Sequence, residues 1–334
     1  MSVRISPLIV MLLAMGSSLS VAGAARKHSD IRIPDQGPAE LWHDPADIAS
    51  RDLFYGPGGR AHQPRGPYTF VKEDMAGTNP KFVIRDANGV KWKVKLGVEA
   101  RPETVATRLL WAVGYNANED YFLATLRVRN MPAHLHRGNH LMMPDGSLRN
   151  VRLKREDEKK LGDWSWRHGL FAGTRAWNGL RVMMAVMNNW DLKDINNSVY
   201  RDPAGERVYM VSDLGSSFGT AGPTWPLSKA KGNLRSYQHA KFIRRDDGLT
   251  VDFETPARPA LLWLVHPRDY FRRLRLRWIG GDIPHADARW MGDLLSRLSP
   301  RQIQDAFRAA GYTEPEVAGF ARVVQDRIAA LTEL

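Results

Sequence analysis

Between residues 68 and 96 apolar and polar side chains alternate with a period of two in three short runs. The runs cover 68–73, 81–85 and 90–96, and the turn formers Gly77-Thr78-Asn79-Pro80 and Asp86-Ala87-Asn88-Gly89 separate them. An antiparallel meander is expected. In its third strand Trp92, Val94 and Leu96 alternate with Lys91, Lys93 and Lys95, which puts apolar side chains on one face and ammonium groups on the other. A charged face of this kind suits either a phosphate cleft or plain solvent. After Gly97 the period lengthens. Pro102 and Glu103 open a helix through Trp111, with Val105, Leu109 and Ala112 at helical spacing. Glu103 lies in its first turn, where it either complements the helix dipole or reaches back to Lys95. A further strand is expected over 121–128, and a loop or hairpin over 138–152 around Pro144-Asp145-Gly146.

Helical spacing dominates the second half. The segment 175–188 carries Leu180, Met183, Met184 and Met187 on one stripe, the pattern of a core helix, which delivers residues 189–197 to a fixed place at its end. Val199-Tyr200 and 208–211 then flank Asp202-Pro203-Ala204-Gly205 as a hairpin whose ends meet, bringing Asn196 close to Asp213. The segment 220–233, rich in Gly, Pro, Ser and Lys, reads as a substrate or activation loop. Helices are expected over 269–278, 286–298, 300–310 and 314–332. The whole is an α+β chain with a small antiparallel-sheet lobe over 68–130 and a mainly helical lobe over 131–334. An extended arm over 25–67, rich in Pro and Gly, precedes them.

Composition narrows the setting more than the chemistry. A hydrophobic content of 43% over 334 residues is enough for one large or two modest cores and excludes a disordered chain. Residues 8–15 form an apolar run behind Arg4, and Ala22-Gly23-Ala24 follows, so residues 1–24 are expected to act as a signal peptide cut before Ala25. That run is far shorter than the roughly 20 residues that span a bilayer. The expectation is export to a periplasmic or extracellular location, with no transmembrane segment after cleavage. The absence of cysteine excludes thiol catalysis and Cys-ligated zinc. The formal charge of +12 favours anionic partners without choosing among nucleotides, acidic polypeptides and lipids, and no nucleic-acid reader motif accompanies it. Arg268, Arg272, Arg273, Arg275 and Arg277 form a basic cluster that either docks an acidic substrate or is a solvated helix face. His134, His136 and His140 lie in an irregular segment with no acidic neighbour, so no metal is assigned to them.

The chemistry-bearing residues stand in a telling order. Lys95 falls on a strand, Glu103 on the next helix, Asp191, Lys193 and Asn196 in the spacing D-L-K-x-x-N, and Asp213 in Asp-Leu-Gly. Phosphoryl transfer asks for this parts list: a lysine for phosphates, a glutamate to orient it, two oxygen ligands for a cation and a carboxylate for the hydroxyl proton. With these motifs on the expected elements, 68–219 resembles the protein-kinase-like superfamily. Gly77-Thr78-Asn79-Pro80-Lys81-Phe82, Trp92-Lys93-Val94-Lys95-Leu96-Gly97 and Asn189-Trp190-Asp191 are closest to its atypical HipA-like, phosphoinositide-kinase-like and secretory-pathway branches.

The resemblance implies a two-lobed protein-kinase-like fold that binds ATP and Mg²⁺ (or Mn²⁺) between the lobes. It implies that Lys95 binds phosphate and pairs with Glu103, and that Gly77, Thr78 and Asn79 cover the nucleotide. Asp191 would then be the base and Lys193 the γ-phosphate stabiliser, with Asn196 and Asp213 holding metal and Asn197 in reserve. Three departures accompany it: Asn189-Trp190 stands in place of His-Arg, no G-x-G-x-x-G precedes Lys95, and Leu214 replaces Phe. Two functions follow as expectations. One is an ATP- and Mg-dependent phosphotransferase acting on a hydroxyl of a protein or small molecule, an acidic acceptor included; the other is an inactive kinase-fold module of the cell envelope that only binds a ligand or partner.

Overall fold

The short meander strands form where β-branched and aromatic residues alternate with charge, and the chain reverses at glycines that take positive φ, Gly77 (+67°) and Gly89 (+81°) among them. The structure, a computed structural model, describes residues 37–75, 77, 79–156, 159–220, 230–255, 264 and 267–334. The expected signal peptide lies outside these residues.

In chain order the first strands are β1 (Ala39–Glu40), β2 (Tyr68–Asp74), β3 (Lys81–Arg85) and β4 (Lys91–Lys95). Helix α1 (Ala100–Ala112) follows, then β5 (Asp120–Leu126), β6 (Val128–Arg129) and β7 (Leu148–Arg155). A six-stranded sheet has the order β5-β7-β4-β3-β2-β6, antiparallel except at the β2–β6 edge. One face buries Phe82, Ile84, Trp92, Val94, Leu148 and Leu153, and residues of 131–142 such as Leu135 and Leu141 cover it. The other face receives α1.

Two domain expectations need correction. The sheet does not end at residue 130: β7 runs between β4 and β5, so the passage to the helical part comes after Arg155. The strand sits between two pairing neighbours and is buried on both faces, Val151 and Leu153 toward the apolar cluster and Arg152 toward Glu103. The described part of the expected arm also packs on the rest of the chain. Leu41, Ile48 and Leu53 are buried in the helical core, and β1 pairs in parallel with a later strand, β10. Three apolar anchors in a Pro- and Gly-rich segment are enough to pin it down.

The helical part contains β8 (Lys159–Gly162), α2 (Arg175–Val186), β9 (Asn197–Arg201) and β10 (Arg207–Val211). It continues through α3 (Leu234–Gln238), β11 (Ile243–Asp246), β12 (Thr250–Phe253), α4 (Pro267–Arg275), β13 (Ile283–Pro284), α5 (His285–Ser296), α6 (Pro300–Ala309) and α7 (Glu314–Thr332). The fold is α+β with two buried cores, one beneath the large sheet and one among the helices. Among the described residues no helix is long and apolar enough to cross a membrane.

Helix α2 is the central strut. Thr174 caps its N-terminus by accepting from the Trp177 amide, and Leu180, Val182, Met183 and Met184 are buried around it. At its other end the buried Arg327 guanidinium donates to the carbonyls of Ala185 (2.8 Å) and Val186 (3.2 Å), which satisfies groups the helix leaves open. Asn188 then takes φ +48°, and the chain turns sharply into Asn189.

Candidate active site

Two backbone segments meet beyond α2. The β9–β10 hairpin returns the chain so that the amides of Ser212 and Asp213 donate to the Asn196 carbonyl at 2.8 and 3.2 Å. The Trp190 amide donates to Ser216 O at 3.1 Å, and the Phe218 amide to Met187 O at 2.7 Å. Phe218 is fully buried against Tyr237, Phe307 and Phe320. The Asp-Leu-Gly segment is therefore fastened on both sides, by hydrogen bonds to 187–196 and by an aromatic plug behind it.

Lys95 extends from β4 into this junction. Its ammonium lies 2.8 Å from Glu103 Oε2, 2.9 Å from Asp213 Oδ1 and 3.0 Å from Glu99 Oε2, and the residue is 3% exposed. Burial alone would make the ammonium easier to deprotonate, but Glu103, Asp213 and Glu99 together outweigh it and hold the pKa well above its ordinary value. Burial would likewise raise the Asp213 carboxyl; the Lys95 charge and hydrogen bond reverse this and leave it well below the usual carboxylate range. Glu99 is also lowered, because Lys95 and Lys231 outweigh both its burial and the nearby Asp213 charge. Glu103 goes the other way. Its complete burial outweighs the pull of Arg152 and Lys95, and its carboxyl sits above 4.5.

Behind Lys95 the charges alternate into the protein. Glu103 Oε1 accepts from Arg152 Nη2 at 2.8 Å, Arg152 Nη1 lies 3.9 Å from Asp120, and Asp120 accepts from Arg108 at 2.7 Å and from the Thr107 hydroxyl at 3.0 Å. All five side chains are buried. Register produces this row. Lys95 stands opposite Arg152 and Lys81 across the sheet, so the three cations share a face, and α1 lays its carboxylate on the middle of it.

The Asp191 side is more open. Asp191 and Lys193 are half-buried and form an ion pair of 3.0 Å. The Asp191 amide donates to Asn189 Oδ1 at 2.9 Å, and the Asn196 side chain donates to the Asp191 carbonyl, so the loop is closed on itself. Gly77 and Asn79 stand at the mouth. Gly77 O accepts from Arg137, and the Asn79 amide donates to Glu99 Oε2. Thr78 lies outside the described residues. The reserve position, Asn197, turns away, donating to Trp164 O at 3.1 Å from a fully buried site.

The structure thus brings together Lys95, Glu103 and Asp213, links Asn196 to both Asp213 and Asp191, and sets Asn79 against Glu99. Sequence reasoning missed Glu99, Arg152 and Lys231. Glu99 occupies the N-cap of α1 yet makes no side-chain cap bond; its carboxylate goes instead to Lys95, Asn79 and Lys231. Gly97 (φ +85°) between Lys95 and Glu99 was the available signal, since it folds the chain back over four residues. Among the described residues, the carboxylates able to share a cation are Glu99, Glu103 and Asp213, whose oxygens lie within 4.8 Å of one another. His136 instead contacts Glu73 at 3.1 Å.

Oxygen donors of this kind suit a hard divalent cation. The buried pair Glu103–Lys95, with Asp213 facing the opening, places one fixed positive charge beside such a cation position. The chain is similar in structure to the crystal structure of a Helicobacter pylori proinflammatory kinase, CtkA, with 12% identity, 79% of this chain and 96% of that chain covered, and a TM-score of 0.42. No protein-family model and no curated protein matches the sequence.

Proposed function

We propose that this protein is a nucleotide-dependent phosphotransferase acting on a hydroxyl acceptor. The observation that carries the reading is the buried Lys95 ammonium held by Glu103 and Asp213 at 2.8 and 2.9 Å, with Asn196 tied through its carbonyl to Asp213. In this reading Lys95 exchanges the Asp213 carboxylate for phosphate oxygens while Glu103, itself fixed by Arg152, keeps the ammonium pointed into the cleft. Asp213 and Asn196 would hold Mg²⁺ or Mn²⁺, which neutralises phosphate charge when bound. Gly77, Thr78 and Asn79 would cover the ATP.

The transfer breaks the bond between the terminal phosphorus and its bridging oxygen, forms a bond to the acceptor oxygen, and leaves the acceptor proton on Asp191. Lys193, 3.0 Å from Asp191, keeps that carboxylate oriented and offers a positive charge to the phosphoryl group in passage. The export expected from residues 1–24 belongs to the same proposal, and with it a supply of nucleotide where the protein works.

The test is phosphate transfer or ATP turnover by the full chain with Mg²⁺, compared with Asp191→Asn. Loss of the base should lower the rate by about 10²–10⁴-fold while nucleotide affinity stays within about threefold of wild type. Equal rates in the two proteins would remove Asp191 from the mechanism. Nucleotide binding without turnover in either would leave a binding module in its place.

A further inference from the structure

Next to Lys193 the surface opens into a groove of about 600 Å³ whose far wall is α4. Lys193, Arg268, Phe271, Arg272, Arg275 and Leu276 line it. In a helix, positions 268, 271, 272 and 275 fall at i, i+3, i+4 and i+7 and share one face. Arg273 lies off that face and does another job. It is 6% exposed, donates to the Trp190 carbonyl and stacks over the Trp190 ring at 4.2 Å. The helix is therefore docked against the Asn189-Trp190-Asp191 loop by one arginine while three others look into the groove. Arg268 and Arg275 form no ion pair among the described residues. Asp194, the carboxylate among the groove's described lining residues, has an oxygen engaged by the Trp166 amide at 3.1 Å.

We infer that this groove is the acceptor site, and that the acceptor is an extended polypeptide segment carrying acidic side chains beside its hydroxyl residue. The inference rests on the phosphotransferase reading, since the groove begins at the residue paired with Asp191. The spacing favours an extended chain. Arg268 to Arg275 rises about 10 Å along the helix, the length of about three residues of an extended segment, so two carboxylates of one segment reach both guanidiniums. Guanidinium pairs bidentately with carboxylate, and Phe271, 55% exposed, with Leu276 offers an apolar floor for a side chain between them. Single-stranded nucleic acid would call for several stacking aromatics along the track; this groove has one.

The experiment measures binding by fluorescence anisotropy, without nucleotide, so that its result is independent of ATP chemistry. The full chain is titrated into a labelled serine peptide with alternating glutamates, the same peptide with glutamines, and a single-stranded oligonucleotide of equal charge. The glutamate peptide should bind at least tenfold tighter than the glutamine peptide and weaken as salt rises from about 50 to 300 mM. The double variant R268E/R275E should lose that preference while its thermal midpoint stays within a few degrees of wild type. Single variants R268Q and R275Q, which carry no reversed charge, should each give an intermediate loss. Equal affinity for the two peptides, an undiminished preference in all three variants, or tighter binding of the oligonucleotide would each overturn the inference. If the peptide preference holds but Mg-dependent ATP binding is absent, the groove stands and the phosphotransferase reading fails.

Discussion

The two halves of the site are built on opposite plans. Around Lys95 nearly every charge is buried and paired, and the alternation Asp213, Lys95, Glu103, Arg152, Asp120, Arg108 runs from the cleft into the protein between α1 and the sheet. Around Asp191 the ion pair is half-buried, the loop is closed by the side chains of Asn189 and Asn196, and solvent reaches the carboxylate. The difference teaches that burial and pairing are concentrated around Lys95 while the Asp191 loop stays accessible, the two ends that the proposed reading gives to the polyphosphate and the acceptor. It also implies that the two halves respond differently to the loss of one charge.

The largest expected effect sharpens that contrast. Lys95→Met strands Glu99, Glu103 and Asp213 together without their shared cation, and breaking a buried pair in this way costs about 3–5 kcal/mol. Lys193→Met removes a half-exposed partner and should change stability by no more than about 1 kcal/mol. Urea unfolding of the two variants checks both. Equal losses would erase the distinction between a buried grip and an open loop.

A smaller effect is expected at the seam. A Cβ at Gly215 would stand 2.6 Å from Glu99 Cβ and 2.7 Å from its Oε2, so Gly215→Ala must push Glu99 off Lys95. Overpacking of this order costs about 1–3 kcal/mol, read by chemical unfolding. A neutral result would show that Glu99 can move freely.

The smallest effect is on pH dependence. Glu99 and Asp213 ionise below their ordinary values of 4.5 and 3.8. Both are charged in the folded and unfolded chain above about pH 5, where their contribution is full. As pH falls, the unfolded chain takes up protons that the folded one refuses, and stability is lost progressively toward the folded pKa. Glu103, raised by burial, works in the opposite sense near its own titration. Glu99→Gln should therefore flatten the acid limb of a stability curve measured from pH 6 to pH 3. A limb of unchanged slope would assign the acid sensitivity elsewhere.

Much of this was legible beforehand, for local reasons. Period-two alternation placed Lys95 on the charged face, and the turn at Asp202-Pro203-Ala204-Gly205 was enough to bring Asn196 to Asp213. The helices 300–309 and 314–332 announce themselves through Ser299 and Thr313, whose capping boxes fix their starts. What stayed hidden depends on pairings between distant residues. Arg152 reaches Glu103 only because β7 docks beside β4, 57 positions along in the register Lys95–Arg152. Lys231 reaches Glu99 from across the molecule. A strand such as β12 alternates over only four residues, Thr250 to Phe253, too short a run to stand out without its partners. Glu99 was overlooked for a different reason: the helix was expected to open at Pro102, whereas α1 begins at Ala100 and makes Glu99 its N-cap.

The central claim is that the Lys95–Asp213 junction is a nucleotide phosphate site. Isothermal titration calorimetry of ATP with Mg²⁺ into the full chain and into Asp213→Ala tests it most directly. The account predicts Mg-dependent binding by the wild type and at least a tenfold weaker, Mg-insensitive binding by a variant that remains folded. Equally weak binding by both proteins, with or without Mg²⁺, would contradict it.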